Sequence, residues 1–148
     1  MRKDVTREQP VINDILDRAE VLWLAFHDEE GPCSMPVNFA RNEDAIYIHS
    51  GRRGRKFRAL STGLPVGFSC VVDMEPKTGP GACDFSYRFK SVMGTATPAL
   101  LPEDKTIQGL DAITLKHAGE QLPYKDKVVP KTAVFALRIT DATARVKQ

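Results

Sequence analysis

The sequence is short of the features that mark several large protein classes. Cysteine is scarce: Cys33, Cys70 and Cys83 stand far apart, with no Cys-x-x-Cys. An odd count at such spacings argues against a disulfide framework and against a thiolate zinc centre. It fits three reduced thiols in a cytoplasmic protein. No run approaches the roughly 18–20 apolar residues that a membrane helix needs. Met1 to Asn13 mixes charges of both signs and has no apolar core, so a secretory signal is not expected. Excess charge is nearly absent too: 21 Lys and Arg face 19 Asp and Glu, for a formal net charge of +2. That balance argues against general nucleic-acid binding. No internal repeat, low-complexity tract or linker is found.

What remains is an ordinary soluble composition. The 148 residues are 42% hydrophobic and 27% charged, which suits one domain over residues 1–148 that needs no covalent staple. Pro10 to Ala19 reads as a short helix, with Val11, Ile12, Ile15, Leu16 and Ala19 on one face. Val21 to Phe26 reads as a strand that is apolar on both sides. One side then faces a barrel interior, and the other a helix or a second subunit. Cys33 to Phe39 is the next strand, placed at an edge or bulge by Pro36. Ala45 to His49 is a third, and the turns between them predict an antiparallel meander. A helix over 55–61 precedes a strand over 66–72. Asp73 to Gly81, with its prolines and glycines, reads as a mobile loop. A long strand over 84–96 contains Gly94, which signals a kink, a bulge or close approach of a ligand. Pro102 to Ala118 reads as a helix with an Ile107, Leu110 and Ile113 stripe, capped by Gly119. Thr132 to Ile139 is the last clear strand, extended by 143–147. Six or seven strands with two or three helices favour a closed or nearly closed antiparallel barrel.

The segment from Ala45 to Arg58 carries the chemistry. It runs from a strand through the basic, glycine-rich Ser50-Gly51-Arg52-Arg53-Gly54 into a helix that begins with Arg55 and Lys56. Glycines let backbone N–H groups approach an anion. The helix start offers free donors, Ser50 a hydroxyl, and Arg55 and Lys56 full charges. Spacing alone leaves a phosphate site and a solvated basic face evenly matched, with nucleic acid a distant third. Phe57 reads as a core residue rather than a base-stacking one. His49 is equally at home as a structural or a functional histidine.

Several segments together form an ordered series. They are Met35-Pro36-Val37-Asn38-Phe39, Ile46-Tyr47-Ile48-His49-Ser50 with Gly54-Arg55-Lys56, Ala82-Cys83-Asp84-Phe85, and Tyr87 to Gly94. From about Asp4 to about Ile139 the chain resembles the pyridoxamine-phosphate-oxidase-related, FMN-binding split-barrel proteins. Within these it resembles most the nitroimidazole-resistance (Nim) branch. The resemblance implies a mainly β (α+β) fold, a six-stranded antiparallel split β-barrel with two or three short helices. It implies a homodimer with two FMN sites at the subunit interface. His49, Ser50, Arg55 and Lys56 would hold the phosphate and ribityl chain. Pro36, Val37 and Asn38 would line the flavin ring, and Ser91 would add a contact from a facing strand. Arg52 and Arg53 make the loop more basic than a phosphate needs, and no matching pair of pyridoxal-phosphate-binding arginines is present.

The function implied is an FMN-dependent oxidoreductase. NAD(P)H or another donor would reduce the flavin, and a small acceptor such as a nitroaromatic would be reduced in turn. Two other cofactors fit the resemblance: haem, for which His27, His49 and His117 are the histidine candidates, and deazaflavin F420. A flavin-binding protein with no turnover of its own is a further alternative. Neither a membrane nor a nucleic-acid partner is expected.

Overall fold

A computed structural model describes residues 2–148. Eight strands form one antiparallel sheet: β1 (Val5–Thr6), β2 (Leu22–Asp28), β3 (Gly31–Val37), β4 (Ala40–Asn42), β5 (Ala45–Gly51), β6 (Val66–Lys77), β7 (Ser86–Leu100) and β8 (Thr132–Lys147). The helices are α1 (Gln9–Arg18), α2 (Arg55–Ser61) and α3 (Thr106–Ala118). Strand order is β3-β2-β6-β7-β8-β5-β4, with β1 beside β8. Six strands are long and two are short, so the expected six-stranded barrel is present with two small additions. Its edges are β3 and β4, yet only Asn38 and Phe39 separate them in the chain. Three peptide steps span at most about 11 Å. The edges therefore approach at that end without pairing, which makes the barrel split rather than closed.

Alternation along the strands fills the interior. Leu22 and Leu24 on β2, Ile46 and Ile48 on β5, Val92 on β7, and Phe135 and Leu137 on β8 are fully buried in one cluster. Helix α1 brings Ile12, Ile15 and Leu16 to the same cluster, on the face its spacing predicts. Helix α2 plugs the barrel with Leu60 and with Phe57, whose ring meets Phe135 edge-on at 5.8 Å between centroids. Such a pair is preferred over a face-to-face stack. Helix α3 lies outside, where Leu110 and Ile113 cover Ala40, Tyr47 and Val134. Gly119 ends α3 in the left-handed conformation. No helix among the described residues is long and apolar enough to cross a membrane.

Some expectations need correction. The first three long strands are not a meander: β2 and β3 form a hairpin, but β5 pairs with β4 and β8. Pro32 and Pro36 deny β3 ladder donors, so it stays at the edge. The chain crosses to the opposite edge, and the Asn42–Ala45 turn, with Glu43 at φ 54°, belongs to β4–β5. The proposed loop at 73–81 is strand as far as Lys77. A register shift between Val72 and Glu75 absorbs the irregular sequence, and Pro76 pairs opposite Tyr87. On α3 the buried stripe is Thr106, Gly109, Leu110 and Ile113, while Ile107 is exposed. A 3-10 turn over Glu103–Lys105 precedes the helix and sets its phase. His27, one of the haem-ligand candidates, lies in β2.

Gly94 marks a bulge and a close approach of β7 to β8 and to the Phe68 ring. A Cβ there would strike the Asp141 carbonyl and the Phe68 ring. Thr95 pairs with Asp141 and Ala96 with Ile139, leaving Thr140 as the extra residue on β8. The two predicted pieces of that last strand are thus one strand, bent at Thr140.

Candidate functional site

The site is built from the end of β5 outward. Ile46, Ile48 and Ser50 point into the barrel, and Tyr47 and His49 point towards α3, as strand alternation requires. Arg52 and Arg53 follow, both exposed. Gly54 then takes φ 100° and ψ 175°, a conformation that suits only glycine, and turns the chain into α2. Its carbonyl accepts the first helical bond from Arg58 N–H at 3.1 Å. The N–H groups of Arg55, Lys56 and Phe57 precede that bond and have no partner inside the helix.

Adjacent cations at the start of α2 have opposite fates. Arg55 is engaged within the protein. Its Nε and Nη2 donate to the two Asp28 carboxylate oxygens at 2.8 Å each, and Nη2 also donates to the Gly31 carbonyl at 3.0 Å. Glu30 stands 3.2 Å from Nε, and the guanidinium lies 5.8 Å from the Phe26 ring centre. Arg55 thereby ties α2 to the tip of the β2–β3 hairpin and holds the Asp28 carboxyl below its usual range. Lys56 has no carboxylate within ion-pair distance among the described residues. It is half-buried, and desolvation pushes its amine down. His49 sits near it; desolvation, then the charges of Lys56 and His117, push the imidazole down. A partly desolvated cation beside a histidine, with no counter-charge, is an arrangement that an anion would stabilise.

The other predicted positions divide between core and surface. Ser50 is 4% exposed and donates to the Gly51 carbonyl at 2.8 Å, so its hydroxyl serves its own strand. Val37 is buried in the core cluster. Pro36 and Asn38 are exposed, and Asn38 Nδ2 donates to the Glu20 carbonyl at 3.3 Å. Ser91 is half-buried on β7, between Val71 and Arg145. Pro36 and Ser91 lie on the outer face of the sheet. One continuous row there is Pro36, Trp23, Ser69, Met93 and Thr143; Val71, Ser91 and Arg145 form the next. Trp23 is 47% exposed, Val71 40% and Met93 65%.

Pro36 pairs with Trp23, five residues along β3 from the Gly31 that touches Arg55. At strand rise that is about 17 Å. The residues expected at the phosphate and those expected at the ring therefore occupy separate places on one chain. A single ligand touching both must be elongated or must also use a second copy.

Sequence reasoning missed two parts of this region. One is the carboxylate pair Asp28 and Glu30: nothing local shows that a residue 25 to 27 positions later binds them. Lys116 was also missed. Its Nζ donates to the Leu16 carbonyl at 3.0 Å and lies 3.6 Å from the Phe39 ring centre. Burial pushes this amine down to about 8. His117 beside it places Nε2 3.0 Å from the Phe39 carbonyl. Cys70 is buried too, and its thiol is pushed up to about 11, which leaves it unreactive.

Comparisons agree with this architecture. Among curated proteins no significant match is found. Among solved structures the chain is similar to a protein described as one of 5-nitroimidazole antibiotic resistance from Bacteroides thetaiotaomicron. The TM-score is 0.82 at 24% identity, over 96% of this chain and 86% of that one. It is similar to the FAD and heme binding protein from Mycobacterium smegmatis, with TM-score 0.88 at 21% identity, over 99% of this chain and 74% of that one. It is also similar to the flavocytochrome Anf3 from Azotobacter vinelandii, with TM-score 0.86 at 22% identity, over 100% of this chain and 72% of that one. These likenesses carry the split-barrel fold. The family model described as pyridoxamine 5'-phosphate oxidase matches residues 8–146, and the chain belongs to that family.

Proposed function

We propose that the chain is an FMN-binding flavoprotein that acts as a homodimer and reduces a small acceptor such as a nitroaromatic, with NAD(P)H as donor. The observation that carries this reading is Lys56: a half-buried cation beside His49, without a carboxylate partner, at the end of a glycine-rich loop. A phosphate dianion there offsets the desolvation of Lys56 and pairs with its charge. Lys56 and His49 hold the phosphate. Arg55 acts through Asp28 to hold α2 in place. Bound FMN supplies hydride and single-electron transfer, while the protein positions it and excludes water.

The outer face of β2, β6 and β7 supports the second copy. Val21, Trp23, Val71 and Met93 are exposed there. A second chain packed on this face buries that apolar area and brings Pro36, Asn38 and Ser91 to an interface. Trp23→Glu is expected to give monomers in sedimentation and to weaken flavin binding; a monomeric wild type would refute the dimer. The nitroaromatic acceptor draws on the resistance protein's described role. A cytoplasmic setting is proposed from the three free cysteines.

The test is an absorbance spectrum of the freshly purified protein, before and after FMN and gel filtration. A retained two-band flavin spectrum supports the reading, and NADPH consumption with a nitro compound then separates an enzyme from a flavin carrier. Failure to retain FMN overturns it. A Soret band on adding haem, or retention of F420 instead, assigns the fold to those cofactors.

A further inference from the structure

Arg55, Arg58, Ala59 and Thr62 recur at helical spacing and share one face of α2 and its C-terminal cap. Between that face and the tip of the β2–β3 hairpin opens a cleft with two lobes. One lobe, of about 350 Å³, is lined by Asp28, Glu29, Glu30, Arg58, Ala59 and Thr62. The other, of about 190 Å³, shares Asp28, Glu29, Ala59 and Thr62 with it; Phe26, His27, Leu64, Pro65 and Val66 complete its wall. Charged side chains dominate the first lobe, and apolar ones the added wall of the second. The first lobe alone lies within the usual volume range of small-molecule sites.

The charges of the first lobe divide into two kinds. Asp28 and Glu30 are both answered by Arg55. Glu29 and Arg58 have no ion-pair partner among the described residues, and they stand too far apart to pair with each other. One cleft thus presents a free carboxylate on the hairpin and a free guanidinium on the helix. Both sit on ordered backbone. Glu29 lies in the two-residue turn closed by the Asp28–Gly31 pair, and the Arg58 N–H donates to the Gly54 carbonyl at 3.1 Å. Leu64 is 63% exposed although its turn is pinned. Its N–H donates to Thr62 Oγ1 at 3.2 Å, and that hydroxyl donates to the Ala59 carbonyl at 2.7 Å. A leucine held out on a fixed turn offers apolar surface whose burial is favourable.

We propose that this cleft binds a free α-amino acid with an apolar side chain. Arg58 donates a pair of N–H groups to the ligand's α-carboxylate. Glu29 accepts from its ammonium group. The ligand's side chain enters the second lobe, against Phe26, Leu64 and Pro65. A zwitterion answers both free charges at once. A simple anion leaves Glu29 without a partner and faces a like charge, and a simple cation does the same at Arg58. The site stands apart from the flavoprotein reading, because Lys56 and His49 take no part in it. The ligand bridges the hairpin tip and α2, the two elements that Arg55 already ties, and so stabilises the folded chain.

The test is calorimetric titration of the full chain with three compounds: L-leucine, leucinamide, which lacks the carboxylate, and N-acetyl-leucine, which lacks the ammonium group. The wild type is expected to bind L-leucine about tenfold or more tighter than either derivative. Glu29→Gln is expected to bind L-leucine and N-acetyl-leucine alike. Arg58→Gln is expected to bind L-leucine and leucinamide alike. Both side chains are exposed and unpaired, and a thermal melt checks that the variants fold. L-leucine is expected to raise the thermal midpoint of the wild type but not that of the Glu29→Gln, Arg58→Gln double variant. Glycine, with no side chain for the second lobe, is expected to bind more weakly than L-leucine. No L-leucine binding by the wild type overturns the site, as does equal binding of L-leucine and its two derivatives. A preference that both variants keep overturns it too. Loss of L-leucine binding in Lys56→Ala also overturns it, because the ligand would then occupy the proposed phosphate site. FMN titration of the same protein tests the flavoprotein reading separately, and neither result decides the other.

Discussion

The two sides of helix α2 make an instructive pair. On one side Arg55 meets Asp28, Glu30 and the Gly31 carbonyl, and its charge is answered within the protein. On the other, Lys56 stands half-buried near His49 with no carboxylate within ion-pair distance among the described residues. The residues are consecutive, alike in charge and carried by one short helix. The hairpin tip that the fold brings to the first side makes the difference. A satisfied charge holds structure together, whereas an unsatisfied, desolvated one costs stability and is retained where a ligand supplies the missing partner. Charge content alone therefore misassigns such a loop; the location of the counter-charges decides.

The most disruptive way to test this contrast removes the frame both sides share. Phe135→Ala deletes a fully buried ring that supports Phe57 and hence α2. Chemical denaturation is expected to show a loss of about 3–5 kcal/mol, and flavin binding falls with it. Lys56→Ala separates the sides. FMN affinity is expected to drop about tenfold or more, with stability unchanged or slightly raised, because a desolvated charge has gone. Arg55→Ala does the converse: the thermal midpoint falls while the folded protein still retains flavin. A variant that loses flavin fully while still folded would make Arg55 a direct ligand.

The smallest effects are in pH. The Asp28 carboxyl is held below its usual range by Arg55, so its contribution is present above about pH 4 and lost as pH falls below that. Arg55→Ala should flatten the acid limb of the stability curve. His49 is also shifted down, here because its charged form is disfavoured in the fold. Stability therefore rises with pH in the region just below the ordinary histidine value near 6.5, and His49→Gln removes that slope. A bound phosphate favours the charged imidazole. The wild-type advantage over His49→Gln in FMN affinity is then expected to grow from pH 8 to pH 6; a constant ratio would separate His49 from the phosphate.

Much of the fold was legible because local signals are strong where burial is one-sided. Helix α1 is phased by Ile12, Ile15 and Leu16, α2 starts and stops at its expected residues, and Gly119 caps α3. The two-faced character of β2 also reads correctly for its inner side, while Trp23 on its outer side is exposed. Pairing partners were less legible. The meander failed because two prolines keep β3 at an edge, and nothing in a short turn says which strand its neighbour will join. The loop over 73–81 failed because a long hairpin tolerates Pro76 opposite Tyr87 once a bulge resets the register. At the site, the basic loop was visible as composition. That Ser50 turns into the barrel follows from its alternation with Ile46 and Ile48, but that Arg55 is bound by Asp28, and Arg52 by Pro130 and Thr132, are contacts between distant segments. No local spacing encodes them.

The central claim is that Lys56, and not Arg55, is the cation waiting for the flavin phosphate. The most direct measurement is FMN binding by fluorescence quenching for the wild type, Lys56→Ala and Arg55→Ala, each checked for folding by a thermal melt. The account predicts a wild type that binds, a Lys56 variant about tenfold or more weaker, and an Arg55 variant that is less stable yet binds nearly as well. Binding that survives in Lys56→Ala and disappears in folded Arg55→Ala would contradict it.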